Sequence, residues 1–103
     1  MLLETRVVSR KTPLDGRLEI SEAAAARVAE LGEGFAVAAL GAESPGRLET
    51  LACTCGKRAG GHIHHFLASP PLKGLAEGSE VQLVLDRDRR TLAVLPTTTG
   101  TNR

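Results

Sequence analysis

The stretch "VQLVLDRDRRTLAVLP", residues 81–96, sets Val81, Leu83 and Leu85 at a spacing of two before a charged turn and an apolar run after it. That period of two constrains the fold more than any other feature of the chain. Val81, Leu83 and Leu85 share one side of a strand, "DRDRR" reverses the chain, and Thr91 to Leu95 return until Pro96 stops the pairing. Shorter runs of the same character recur at "LLETRVVSR" (2–10), "FAVAAL" (35–40), "RLETLACTC" (47–55) and the "HFLAS" segment (65–69). Their separators "KTPLDG" and "GAESPG" read as loop and turn.

The period changes only once at length. Ser21 is placed to cap a helix from Glu22 to Leu31, four consecutive alanines favour it, and Gly32 closes it. Ser69 and Pro70 start a second, single helical turn that Gly74 ends. The expected fold is therefore mainly β with one or two short helices, of the α+β class. One domain spans 1–96, and "TTTGTNR" (97–103) forms a disordered tail.

With only Phe35 and Phe66 as aromatics, the core must be built from Leu, Val, Ala and Ile. No apolar run approaches the roughly 20 residues that cross a bilayer. "MLLETRVVSR" lacks the cationic start and long apolar middle of a signal peptide, so no membrane association and a cytoplasmic location are expected. The net charge of +1 is unevenly spread. Residues 1–17 carry +2 and residues 51–74 carry +3, whereas six glutamates against Arg27 and Arg47 leave residues 18–50 at −4. This asymmetry permits a basic face opposite an acidic one, although a pI near 7.9 does not itself announce a nucleic-acid binder.

Both cysteines and all three histidines lie in "CTCGKRAGGHIHH", Cys53 to His65. On adjacent strands Cys53 and Cys55 share a face, as do His62 and His64, and the glycines of "GKRAGG" suit the loop between them. If Cys55 stands opposite His62, then Cys53 stands opposite His64, and four ligands share one patch. Two thiolates and two imidazoles match the tetrahedral preference of zinc, so Zn2+ bound by Cys53, Cys55, His62 and His64 is expected. Regular alternation turns His65 to the other face, but a bulge would exchange it for His64. A disulfide between Cys53 and Cys55 would be strained.

"LGEGFAVAAL" from Leu31 and "LAEGSEVQLV" from Leu75 align Leu, Glu-Gly and Val at an offset of 44 residues. Each half reads as strand, short helix, glycine turn and hairpin, which resembles the AbrB-like swapped-hairpin pattern. Two such halves in one chain resemble a small pseudo-symmetric β-barrel of the kind found in double-psi barrels and DNA-binding pseudobarrels. "GKRAGGHIH" is also similar to the start of the cupin metal motif, with Gly56, His62 and His64 in the matching places. Leu67, Ala68 and Ser69 occupy the region where that motif continues with Glu.

These readings converge on a small zinc-binding module that contacts duplex DNA or structured RNA. Lys57 and Arg58 at the glycine-rich tip would meet phosphates, and Lys73, Arg6, Arg10 and Lys11 would extend the surface. The scarcity of aromatics argues against stacking on unpaired bases. The alternatives are a protein-interaction or self-associating module with purely structural zinc, and a cupin-like metalloenzyme with an open zinc position.

Overall fold

The computed structural model describes the backbone of residues 1–53 and 62–97, and the side chains of all of these except Cys53 and His62. The expected tail, apart from Thr97, lies outside the described residues. The elements are β1 (Leu2–Val7), α1 (Lys11–Asp15), β2 (Arg17–Ile20), α2 (Glu22–Ala29), β3 (Ala36–Ala39), β4 (Ala42–Pro45), β5 (Arg47–Cys53), β6 (His62–Ala68), a 3-10 turn (Pro70–Gly74), β7 (Glu80–Asp86) and β8 (Thr91–Pro96). The chain is mainly β with two short α-helices, an α+β arrangement. No helix among the described residues is long and apolar enough to cross a membrane.

The strands form two sheets, one ordered β1-β7-β8-β3-β4 and the other β2-β6-β5. All neighbours are antiparallel except β3 and β8, which run parallel. Among the described residues the ladders are two open sheets rather than one closed barrel. The glycine turns of the two halves do repeat locally: Gly34 and Gly78 take φ of 85° and 86°, and Val37 and Val81 are both buried. The sheet order does not repeat with them, since exchanging the two hairpins would not restore β7-β8-β3-β4.

The core lies between the sheets because alternation aims one face of each inward. Val81, Leu83 and Leu85 of β7, Leu92 and Val94 of β8, and Val37 of β3 meet Leu18 and Ile20 of β2 and Leu67 of β6. The stripe Ala24, Ala25 and Val28 of α2 packs on the same core. Small alanines allow that helix to lie close. Its start is fixed by Ser21, whose Oγ accepts from the Ala24 N–H at 3.1 Å. The Ser21 N–H also donates to Glu4 Oε2 at 3.0 Å, and its hydroxyl donates to the other Glu4 oxygen, so the cap ties α2 to β1. At the other end of α2, the Arg90 guanidinium donates to the Leu31 carbonyl at 2.7 Å and to the Glu33 carbonyl.

Two expected connections are ordered elements instead. "KTPLD" is a single helical turn, closed by Gly16 at φ 72°, with Thr12 fully buried and donating to the Arg17 carbonyl at 2.7 Å. "AESP" is β4, because the reversal takes place earlier, at Leu40 and Gly41 with φ of 55° and 80°. Ser69 then pins one end of the second sheet: its N–H donates to the Gly16 carbonyl and its Oγ to the Pro45 carbonyl, each at 3.0 Å.

Candidate functional site

The opposite end of the second sheet is built differently. β5 and β6 pair from Arg47–Ala68 as far as Cys53–His62, whereas β2 pairs with β6 only from Arg17–Ala68 to Ile20–His65. Residues 51–53 and 62–64 therefore run past β2 as a two-stranded ribbon. Leu51 and Ile63, on opposite faces of that ribbon, are 54% and 60% exposed, which shows that no layer covers either side there among the described residues.

This register differs from the expected one. Cys53 stands opposite His62, and His64 stands opposite Leu51 rather than Cys53. The slip is two residues, and a slip of two preserves the face on which every side chain lies. Cys53, His62 and His64 thus occupy one face of the ribbon, with Cys53 and His62 as direct cross-strand partners. Cys55 lies outside the described residues, as do Lys57 and Arg58. Of the four expected ligands only the His64 side chain is described, and among described side chains no three metal-ligating groups gather.

His64 is held from behind. Its Nδ1 lies 2.7 Å from Glu19 Oε2, a contact between β6 and the neighbouring β2. The ring of Phe66, two residues along the same strand, has its centroid 6.3 Å from that of His64. Lys11 Nζ sits 5.2 Å above the buried Phe66 ring, so α1 covers this part of the face. Further along, Glu49 of β5 accepts from Arg17 at 2.8 Å and from Arg47 at 2.7 Å. His65 faces the other way and lines a groove with Glu22, Ala25, Ala26 and Ala29 of α2.

That groove, about 350 Å³, shares Ala29 and Leu48 with a second hollow of about 440 Å³ bordered by Phe35, Gly46 and Arg47. Glu49 and Thr50 also line the groove of His65, and among the described residues no three metal-ligating groups gather there. The remaining basic residues are spread out. Arg6 on β1 reaches Glu4 at 3.7 Å. Arg10 at the N-cap of α1 and Lys73 on the 3-10 turn are exposed at the pinned end of the sheet, where α1 and that turn pack together, whereas Lys11, in the first turn of α1, reaches along the sheet to Phe66. That end is separated from His62 by the length of β6, roughly 20 Å at about 3.4 Å per residue.

Glu19, Arg17 and Glu49 were not among the residues that spacing singled out. Alternation in "RLEI" separates Glu19 from Leu18 and Ile20, but only the pairing of β2 with β6 brings it to His64, 45 positions away. The sequence matches no protein-family model, and comparison with curated proteins and with solved structures finds no match.

Proposed function

We propose that this chain is a small zinc-binding module in which Cys53, Cys55, His62 and His64 hold the metal, and that Lys57 and Arg58 beside it contact the phosphates of duplex nucleic acid. The observation that carries the reading is the Cys53–His62 cross-strand pair, with His64 next on the same face, where β5 and β6 run past β2 among the described residues. A two-stranded hairpin is marginal in water. Metal–ligand bonds supply what the missing layer does not. Zinc bonds of about 2.3 Å to sulfur and 2.0 Å to nitrogen at a tetrahedral angle set the ligand atoms roughly 3.6 Å apart. Cross-strand Cβ atoms at about 5 Å are compatible with that spacing when both side chains lean inward.

The nucleic-acid part rests on charge and on the partial resemblance to swapped-hairpin DNA-binding folds. Lys57 and Arg58 belong to the eight-residue connection 54–61 between the paired strands, and residues 51–74 hold no acid. A second reading, a protein-binding module with purely structural zinc, is favoured by the exposed Leu51 and Ile63, apolar groups that phosphate does not need.

Metal analysis of untagged protein purified without chelator should give about one zinc per chain. Zinc should be lost in Cys53→Ser or Cys55→Ser, weakened in His62→Ala or His64→Ala, and unaffected in His65→Ala. Duplex binding should weaken across all sequences when Lys57 and Arg58 become Ala together, with zinc content intact. Arg27, exposed on α2, and Arg89, exposed in the turn between β7 and β8, are the charge-matched controls. Arg90 is unsuitable as one because it holds the end of α2. Zinc-free parent protein sinks the metal reading, and zinc-loaded parent without duplex binding at low salt turns the function to protein interaction.

A further inference from the structure

We infer that Glu19 is the positioning residue of the metal site, the carboxylate that presents His64 to the ion. The inference rests on the zinc reading above and adds a residue outside its Cys/His cluster. A histidine that ligates a metal through one ring nitrogen commonly donates the N–H of the other to a carboxylate, which fixes tautomer and ring orientation. Glu19 Oε2 lies 2.7 Å from His64 Nδ1, a distance that suits such a charge-assisted bond. With the proton on Nδ1, the neutral ring carries its lone pair on Nε2, the form in which it ligates.

The register gives the bond a direction. Glu19 pairs with Phe66, two residues onward along β6 and one strand to one side of His64. Cys53 pairs with His62, two residues earlier and one strand to the other side. The three positions therefore lie on one diagonal of the sheet, each step about 7–8 Å. The ring nitrogens occupy opposite edges of the imidazole, so anchoring Nδ1 on Glu19 turns Nε2 toward the Cys53 and His62 side. Phe66, buried and stacked under Lys11, stops the ring from folding back onto the strand.

The chemistry also explains an otherwise uneconomical contact. His64 and Glu19 keep side-chain exposures of 29% and 39%, and an exposed pair of this kind contributes little to folding. Orientation of a ligand is a use that tolerates such exposure.

The test uses the full chain and zinc itself, with affinity read by competition against a chromophoric chelator. Glu19→Ala should weaken zinc about 10- to 100-fold. Glu19→Gln, which still accepts through its amide oxygen, should recover part of that loss. Ring-nitrogen NMR shifts in the zinc-free proteins supply a signature that a merely structural role would not move. The parent should show His64 protonated on Nδ1, and Glu19→Ala should shift it toward the Nε2–H tautomer. A Glu19→Ala protein whose zinc affinity stays within twofold of the parent overturns the role of Glu19 while leaving the site in place. A parent with His64 protonated on Nε2 overturns it even if the variants fail to fold, and a parent that binds no zinc overturns both readings.

Discussion

Gly46 is the single residue between β4 and β5, the point where the chain leaves one sheet and enters the other. A Cβ placed there would lie 2.5 Å from Val37 Cγ2 and 2.8 Å from Phe35 Cε2. Carbon atoms rest at about 3.5–4.0 Å, so Gly46→Ala requires a displacement of roughly 1 Å. Phe35 borders the larger hollow beside α2 and has room to slide, but Val37 is wholly buried between neighbours that are themselves core. The overlap therefore falls in the upper part of the overpacking range, about 3 kcal/mol. Gly46 does not occupy the left-handed region, so alanine adds no backbone strain. It also stiffens the unfolded chain, which returns about 0.4–1 kcal/mol. The net loss is about 2 kcal/mol, a fall in Tm of roughly 8–16 °C for a domain of this size. Thermal melting and urea titration with an unchanged m-value measure it. Gly34→Ala is the contrast: φ is 85° and no atom lies within 4 Å, so its cost of about 1 kcal/mol comes from the backbone alone. A Gly46→Ala protein that melts at or above the parent temperature would refute the packing argument.

Ser21→Ala removes the α2 cap and the hydroxyl that donates to Glu4, and should cost about 1 kcal/mol by urea midpoint; no loss would mean that the β1 contact alone holds the helix start. Chelation should lower the Tm, since free zinc at 100 times its Kd stabilises the folded chain by about 2.7 kcal/mol. An unchanged Tm in excess chelator would count against a metal tied to the fold.

Periodicity made the local elements readable where side-chain pattern and backbone agree. β7 and β8 show their buried faces directly in Val81, Leu83, Leu85, Leu92 and Val94, and Ser21 marks the start of α2 at the residue where the cap forms. α1 and β4 were hidden for different reasons. In "KTPLDG" the Asp-Gly pair is a turn signal, yet here Gly16 is the left-handed cap of a helical turn with buried Thr12 inside it. In "LGAESPG" the reversal uses Leu40 at positive φ, a conformation that its side chain disfavours, so the glycines and proline after it drew the turn too late. The parallel β3–β8 contact joins residues 55 positions apart, such as Ala36 and Thr91, and no local pattern reports it.

The site divides the same way. Alternation fixed which faces Cys53, His62 and His64 occupy, and a slip of two residues could not disturb it. Register depends on the length of the loop, and the last described pair leaves eight residues, 54–61, where the glycine pattern suggested the six of "GKRAGG". Charge segments along the chain do not map simply onto the sheet. Among the described residues β2 and β5, from the end regions of the acidic segment 18–50, flank β6 from the basic segment 51–74. Glu19 lies against His64, and Glu49 takes up both Arg17 and Arg47, so the sheet surface beside the ribbon largely neutralises itself. Arg6 is likewise paired with Glu4, and Arg10 and Lys73 sit at the far end of β6. If duplex binding is confined to the tip of the ribbon, it engages the two cations Lys57 and Arg58. The slope of log affinity against log salt should then be near −2, as about 0.9 counterions are released per contact. Six engaged cations, the full set that the sequence offered, would give about −5. A measured slope near the steeper value would show that the duplex spans the molecule from the ribbon to α1, and that the ribbon is not the sole binding edge.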